Sequence, residues 1–387
     1  MKIKQYIPIL LLLVMLQACV NNKKQVLINE EKLSVKEIVI NEPDITKNEI
    51  GDFLILDSLI ILSNQELFGE ISRIIIDDEL IYIMDNLQRI FCYKLSGDLV
   101  FTINRRGQGP QEYVNATDFG IDRNSNKLFI YDDHARKILV LNKKNGDYIS
   151  DFSTHYMLPS NFGVTEETFF FNNDDNRRVI DKKTQKHNLF YSETGTQIDN
   201  YFLPHDAIAE YHFKGEEGHP FFYNEDQLLY NKIFDSRIYS LKKNKMIPLY
   251  DIILPNQLPI KKIEEKMEHM DLVSSDYSYA LGNIFVNNEI IHFTFSKDGF
   301  IQSCYYDLNS DKILFCGPRV LAEPRKNLPF YSLIQGVYND CFFALVSASE
   351  IEQIKENHIV FSQQEELKKI APEDNPIIVF YKIKQTT

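Results

Sequence analysis

Nine histidines and 55 acidic residues give this 387-residue chain material for metal or acid–base chemistry, so spacing must decide what they can do. His205, His212 and His219 stand seven apart, a spacing that would stack them on one helix. Pro204, Gly215, Gly218 and Pro220 break any such helix, so they read as scattered loop histidines. Asp122-Arg-Asn-Ser-Asn126 resembles the start of a calcium loop, but lacks the sixth-position Gly and has Asp133 where a Glu belongs at the twelfth. It reads as an Asx-rich turn. In Gly107-Gln-Gly-Pro110 the glycines are followed by Pro110 and a β pattern, whereas a phosphate cradle needs a helix straight after its glycines. Asp85 and Asp132 could pair as carboxylates from adjacent units; capping of turns at strand ends is the simpler role. No G-x-S-x-G and no Ser/His/Asp set stands out. The expectation is no catalytic residue, no metal and no cofactor. Cys304 and Cys316 flank a turn. A three-residue loop there would set them face to face, and a change of one residue would separate them. Disulfide and buried thiols both stay open.

The chain begins with Lys2, Lys4 and a ten-residue apolar run over 7–16, the length of a signal-peptide core and too short to span a bilayer. The run ends in Leu16-Gln17-Ala18-Cys19, which resembles a bacterial lipobox. That resemblance implies diacylglycerol transfer to the Cys19 thiol, cleavage after Ala18 and acylation of the new amino group. Acyl chains at ~0.8 kcal/mol per buried CH₂ anchor a protein without a spanning helix. No later segment reaches 18 consecutive apolar residues. The expected division is a signal peptide over 1–18, a lipidated tether over 19–32 and one domain over 33–387.

The formal charge is -13, and loss of residues 1–18 takes two lysines and no acid, leaving -15. An acidic chain argues against a nucleic-acid backbone as partner. With 27 Phe, 21 Tyr and no Trp, in short runs cut by Asn, Asp, Lys and Gly, the pattern is β throughout. Short helical patterns at 260–272, 350–356 and 364–370 read as excursions between strands.

These strands repeat. Residues 72–85 give a strand, an acidic turn and a second strand closed by Asp85. A third strand follows and ends at Ser96-Gly97, and 99–104 is a fourth. Residues 117–152 repeat this order, with Asp132 47 residues after Asp85 and Gly146 49 after Gly97. Gly195 follows after 49 more. Four strands in 40–50 residues mark a propeller blade. Fainter units follow, to a sixth that takes in 377–383. Residues 53–62 are expected to close the ring by pairing into the last blade. The fold class is therefore all-β, a six-bladed β-propeller with four-stranded blades behind a lipoprotein signal peptide.

Arg105-Arg-Gly-Gln-Gly-Pro-Gln-Glu-Tyr113 resembles the G-x-G-P-x-E-Y junction of the six-bladed β-propeller lipoproteins of the Bacteroides group, and Asn375-Pro-Ile-Ile-Val-Phe-Tyr-Lys-Ile-Lys384 resembles their closing strand. The resemblance implies an NHL-like propeller. In such proteins an acidic patch after the lipid Cys accompanies surface display. None occurs before Glu30 here, so the implied address is the outer membrane facing the periplasm.

Two functions are compatible with these features. The favoured one is a non-enzymatic binding or scaffold module held to the membrane by its lipid anchor. The alternative is a propeller lyase or hydrolase with a metal at the central channel. Connections between blades and turns between second and third strands open on one face. That face gathers Asn86, Arg89, Arg105, Arg106 and Glu112 with Asp133, His134 and Arg136, and brings in Lys297 and Asp298. Arg105 and Arg106 form a positive spot on an acidic surface, so an anionic small molecule or an acidic protein partner is expected there.

Overall fold

The computed structural model describes residues 35–46, 49–154, 157–173, 184–204, 218–232, 235–259, 275–287, 289–319, 328–356 and 367–384. Residues 1–34, with Cys19 and the tether, lie outside these, as do 260–274 and His205 and His212. Two strands come before the first complete unit: β1 (Lys36–Val39) and β2 (Leu54–Ile61). Blade 1 is β3 (Ile71–Asp77), β4 (Leu80–Asp85), β5 (Ile90–Lys94) and β6 (Leu99–Ile103). Blade 2 is β7 (Ala116–Asp122), β8 (Lys127–Asp132), β9 (Lys137–Asn142) and β10 (Tyr148–Ser153). Blade 3 is β11 (Asn161–Thr165), β12 (Thr168–Asn172), β13 (His187–Ser192) and β14 (Asn200–Pro204). Blade 4 is β15 (Phe221–Asn224), β16 (Gln227–Asn231), β17 (Arg237–Lys242) and β18 (Lys245–Ile253). Blade 5 is β19 (Tyr279–Val286), β20 (Ile290–Lys297), β21 (Phe300–Asp307) and β22 (Lys312–Pro318). Blade 6 is β23 (Ile334–Tyr338), β24 (Cys341–Val346) and β25 (Ile377–Ile383), completed by β2.

Both faces of each blade are buried, which explains why the strands read as apolar runs rather than clean alternations. In β4, Tyr82 and Met84 pack toward blade 2, while Ile81 and Ile83 pack toward blade 6. One apolar cluster fills each blade-to-blade interface, and the cluster of Leu62, Ile74, Ile83, Phe343 and Phe380 joins blade 6 back to blade 1. Antiparallel pairing of β2 with β25, from Leu54↔Ile383 to Ile61↔Ile377, closes the ring with the N-terminal strand.

The glycine spacing has a packing cause. Gly97, Gly146 and Gly195 each end a turn between the third and fourth strands with φ of 86°, 73° and 79°. Each lies against the outer strand of the preceding blade. A Cβ would fall 2.0 Å from Ile61 O at Gly97, 2.8 Å from the Phe101 ring at Gly146 and 2.3 Å from the Phe152 ring at Gly195. Positive φ and close approach both require glycine.

The inner strands β11 and β15 carry no clear repeat pattern in the sequence. Blade 4 also gains a fifth strand: β1 pairs in parallel with β18. The chain then crosses blade 5, where Thr46 N–H bonds Cys316 O at 2.7 Å, before entering blade 6 as β2. Helix α1 (Ala348–Glu356) starts with a capping box, in which Ser347 Oγ accepts the Glu350 N–H and Glu350 accepts the Ser347 N–H.

Cys304 and Cys316 form a disulfide. The turn leaves four residues between the pair Asp307↔Lys312, which alone would misalign the two cysteines; a bulge at Leu314 restores the Cys304↔Cys316 pairing. The paired replacement Cys304→Ala/Cys316→Ala should lower stability by about 2–4 kcal/mol. Urea melts of the two proteins check this; equal midpoints would show that the cross-link adds nothing.

Candidate functional site: the upper channel

The ring encloses a channel walled by the first strand of every blade. Its upper end is where these strands begin. A cavity of about 360 Å³ runs from that end down to Ile76, Arg123 and Tyr223. Four of the six inner strands are irregular there. Register shifts fall between Ile71 and Arg73, Ala116 and Asp118, Tyr279 and Phe285, and Ile334 and Gly336. Such bulges re-aim side chains. In blade 5 the distortion includes Asn283 at φ 49°.

Each blade contributes one polar side chain at this level: Arg73, Asp118, Asn161, His219, Asn283 and Gln335. All except Asp118 line the cavity directly; Asp118, 2% exposed, stands behind Arg73 and His219. Arg73 Nη1 donates to Asp118 Oδ1 and to Phe119 O. Asp118 also accepts the Phe162 N–H at 2.9 Å. His219 Nδ1 lies 3.0 Å from Phe221 O and 3.2 Å from the Phe221 N–H, and its Nε2 lies 3.2 Å from Asp118 Oδ2, so both ring nitrogens stand beside an acceptor. Burial alone would raise the Asp118 carboxyl; Arg73, His219 and the Phe162 N–H outweigh it and hold the group below the ordinary carboxylate range. Burial, then the Arg73 charge, pushes His219 below the usual imidazole value, and Asp118 offsets this only in part. The trio therefore carries one positive charge, one negative charge and a neutral imidazole.

Arg73 spends only Nη1. Its Nε–Nη2 edge has no hydrogen-bond partner among the described residues, and neither do the side-chain amides of Asn161 and Gln335. Asn283 donates Nδ2 to Ile334 O at 3.0 Å and keeps its oxygen. Phe221, Leu281, Phe285 and Phe343 supply apolar wall. At its lower end Arg123 stands over the Tyr223 ring at 4.7 Å and donates to Glu225 O and Ile76 O. Below it opens a mouth of about 780 Å³ rimmed by Asp78, Glu79, Glu225 and Asp340.

Strand polarity puts the expected face at the upper end, but many of its groups are engaged. Asp85 gathers the N–H groups of Gly69, Leu87 and Arg89 and the Arg89 guanidinium; Asp132 gathers those of Val114, Asn115, His134 and Ala135. Both carboxylates are turn organisers at equivalent places in the repeat. Arg105 Nη2 donates to Gly146 O at 3.2 Å. Glu112 accepts the Gly109 N–H at 2.7 Å, and a Cβ on Gly107 would sit 2.0 Å from its carboxylate. The Gly-Pro junction is thus a joint, pinned by Tyr113 OH donating to Gln88 O at 2.6 Å. Asp133 accepts from Asn115 Nδ2 at 2.6 Å. Lys297, 4% exposed, donates to Asp276 O and pairs with Glu42 at 3.3 Å, with Asp298 at 3.9 Å. The side chains of Asn86, Arg106, His134 and Arg136 are exposed. Arg73 and Asp118 went unremarked in the sequence. The available signal was a charge at the same place in two successive apolar strands.

The fold and its lined channel define a six-bladed β-propeller. Residues 63–382 match the family model described as Domain of unknown function (DUF4934), and the chain belongs to that family. Its structure is similar to the crystal structure of a protein of Bacteroides fragilis NCTC 9343 assigned as exported, with a TM-score of 0.72, 19% identity and coverage of 90% of this chain and 100% of that one. A member of the DUF4221 family from Bacteroides vulgatus ATCC 8482 is more remote, with a TM-score of 0.45, 10% identity and coverage of 86% and 98%. No curated protein matches the sequence.

Proposed function

We propose that the chain is a lipid-anchored lipoprotein of the cell envelope, held at the outer membrane facing the periplasm, whose propeller binds a small ligand in its upper channel. The observation that carries the binding role is the cavity itself. Polar side chains from five blades line it, with Asp118 of the remaining blade behind them, and among the described residues the Arg73 edge and two side-chain amides are unspent. Buried polar groups normally find partners within the fold, so donors left facing a cavity point to something that enters it. The exposed Arg106, His134 and Arg136 belong to the approach. The address rests on the lipobox at Cys19 and on the similarity to a protein assigned as exported.

Cys19→Ala should leave a protein that no longer partitions into the detergent phase; partitioning equal to wild type would rule out the lipid tether. Binding is tested by thermal melts of the full chain against small-molecule fractions extracted from cells. A saturable rise in Tm that Gln335→Trp abolishes by plugging the channel is the expected result. Equal rises in both proteins, or none, would count against the channel.

A further inference from the structure

We propose that the upper channel takes a small monocarboxylate with an apolar body, held by the free edge of Arg73, and that His219 takes up one proton as it binds. This rests on the channel being a binding site. The Nε–Nη2 edge of a guanidinium presents two parallel N–H donors, the geometry that a carboxylate accepts bidentately. Asn161 and Gln335 can add amide donors from blades 3 and 6. Phe221, Leu281 and Phe285 offer the apolar body a surface. The volume, about 360 Å³, lies near the small end of the roughly 300–1,000 Å³ typical of ligand sites.

Charge balance selects a single negative charge. Arg73 is already neutralised by Asp118 through a direct ion pair, so an added carboxylate leaves the site one charge in excess. Among the described residues, the ionisable groups facing His219 are Arg73 from β3 and Asp118 from β7; Arg123, at the lower end of the same cavity, pairs with Asp77 at 3.9 Å, and β11, β15, β19 and β23 carry no acid or base other than tyrosine along their lengths. His219 is therefore the group able to take a balancing proton. Its imidazole is held neutral by burial and by Arg73, and an anion beside Arg73 opposes both effects. A dianion such as phosphate would remain one proton short. The acidic lower mouth disfavours anions, so the ligand arrives from the upper face.

The test is calorimetric titration of the full chain in mild detergent, with a panel of small aromatic and aliphatic monocarboxylates and the matching primary amides. Expected are carboxylates binding at least tenfold tighter than their amides, tighter binding at pH 6.5 than at 7.5, and uptake approaching one proton between buffers of different ionisation enthalpy. His219→Gln should bind with little proton uptake. Arg73→Gln leaves Asp118 uncompensated, so the paired Arg73→Gln/Asp118→Asn is used beside it and should lose the preference for carboxylates. If no carboxylate in the panel binds, or amides bind as well, the proposal is overturned. Ligands other than carboxylates that Gln335→Trp excludes would overturn the proposal while leaving the channel as a site. Carboxylate binding that Gln335→Trp leaves intact would overturn both.

Discussion

Acid should destabilise this protein well before its carboxylates titrate, and His292 should contribute most of that loss. It lies in blade 5 with no exposed surface, its Nε2 3.0 Å from Ser303 Oγ and its ring 4.7 Å from that of Tyr305. Burial, with help from the nearby Arg319 charge, pushes its pKa from 6.5 down to about 3. The unfolded chain binds a proton near pH 6.5 and the folded chain does not until far lower, so stability is full above 6.5 and falls as pH drops toward 3. At 1.36 kcal/mol per pKa unit the loss is about 2 kcal/mol at pH 5 and roughly 4–5 kcal/mol over the whole window. His292→Gln keeps a polar group beside Ser303 and cannot titrate. Urea melts at pH 7.5, 6 and 5 should show the wild type losing stability and the variant, weaker at pH 7.5, losing little. Equal slopes would show that the acid response lies elsewhere.

Loss of the closing strand should have the larger effect. Deleting residues 36–52 removes β1 and the crossing over blade 5, which should lower Tm while leaving a folded ring. Deleting 36–62 also removes β2 and uncovers β25, whose Ile377, Ile378, Val379 and Tyr381 are fully buried. An exposed apolar edge of that length pairs with other chains. The longer deletion should therefore be recovered as aggregate and the shorter one as monomer by size exclusion. A folded monomer from the longer deletion would contradict closure by β2.

How far the fold could be read from the chain depended on how local its signals were. Blades 1 and 2 were plain because Gly97 and Gly146, Asp85 and Asp132, and full-length apolar strands recur together. β15 has only four residues and β11 includes Gly163, so neither carries enough pattern to announce a strand. β1 buries only Ile38, and its partner lies in blade 4, beyond any local pattern. The same limit governs the site. Glu112, Arg89 and Lys297 looked available because their partners, the Gly109 N–H, Asp85 and Asp276 O, depend on turn geometry. Arg73, Asp118 and His219 meet only because three blades pack side by side around an axis.

Whether the upper channel holds a molecule is settled most directly by native mass spectrometry of the full chain purified from cell envelopes in mild detergent, beside the Gln335→Trp variant purified the same way. A ligand-binding channel predicts a small-molecule adduct of defined mass on the wild type, released on denaturation and missing from a variant that melts at the wild-type temperature. The same adduct on both proteins, or unliganded spectra for both, would contradict it.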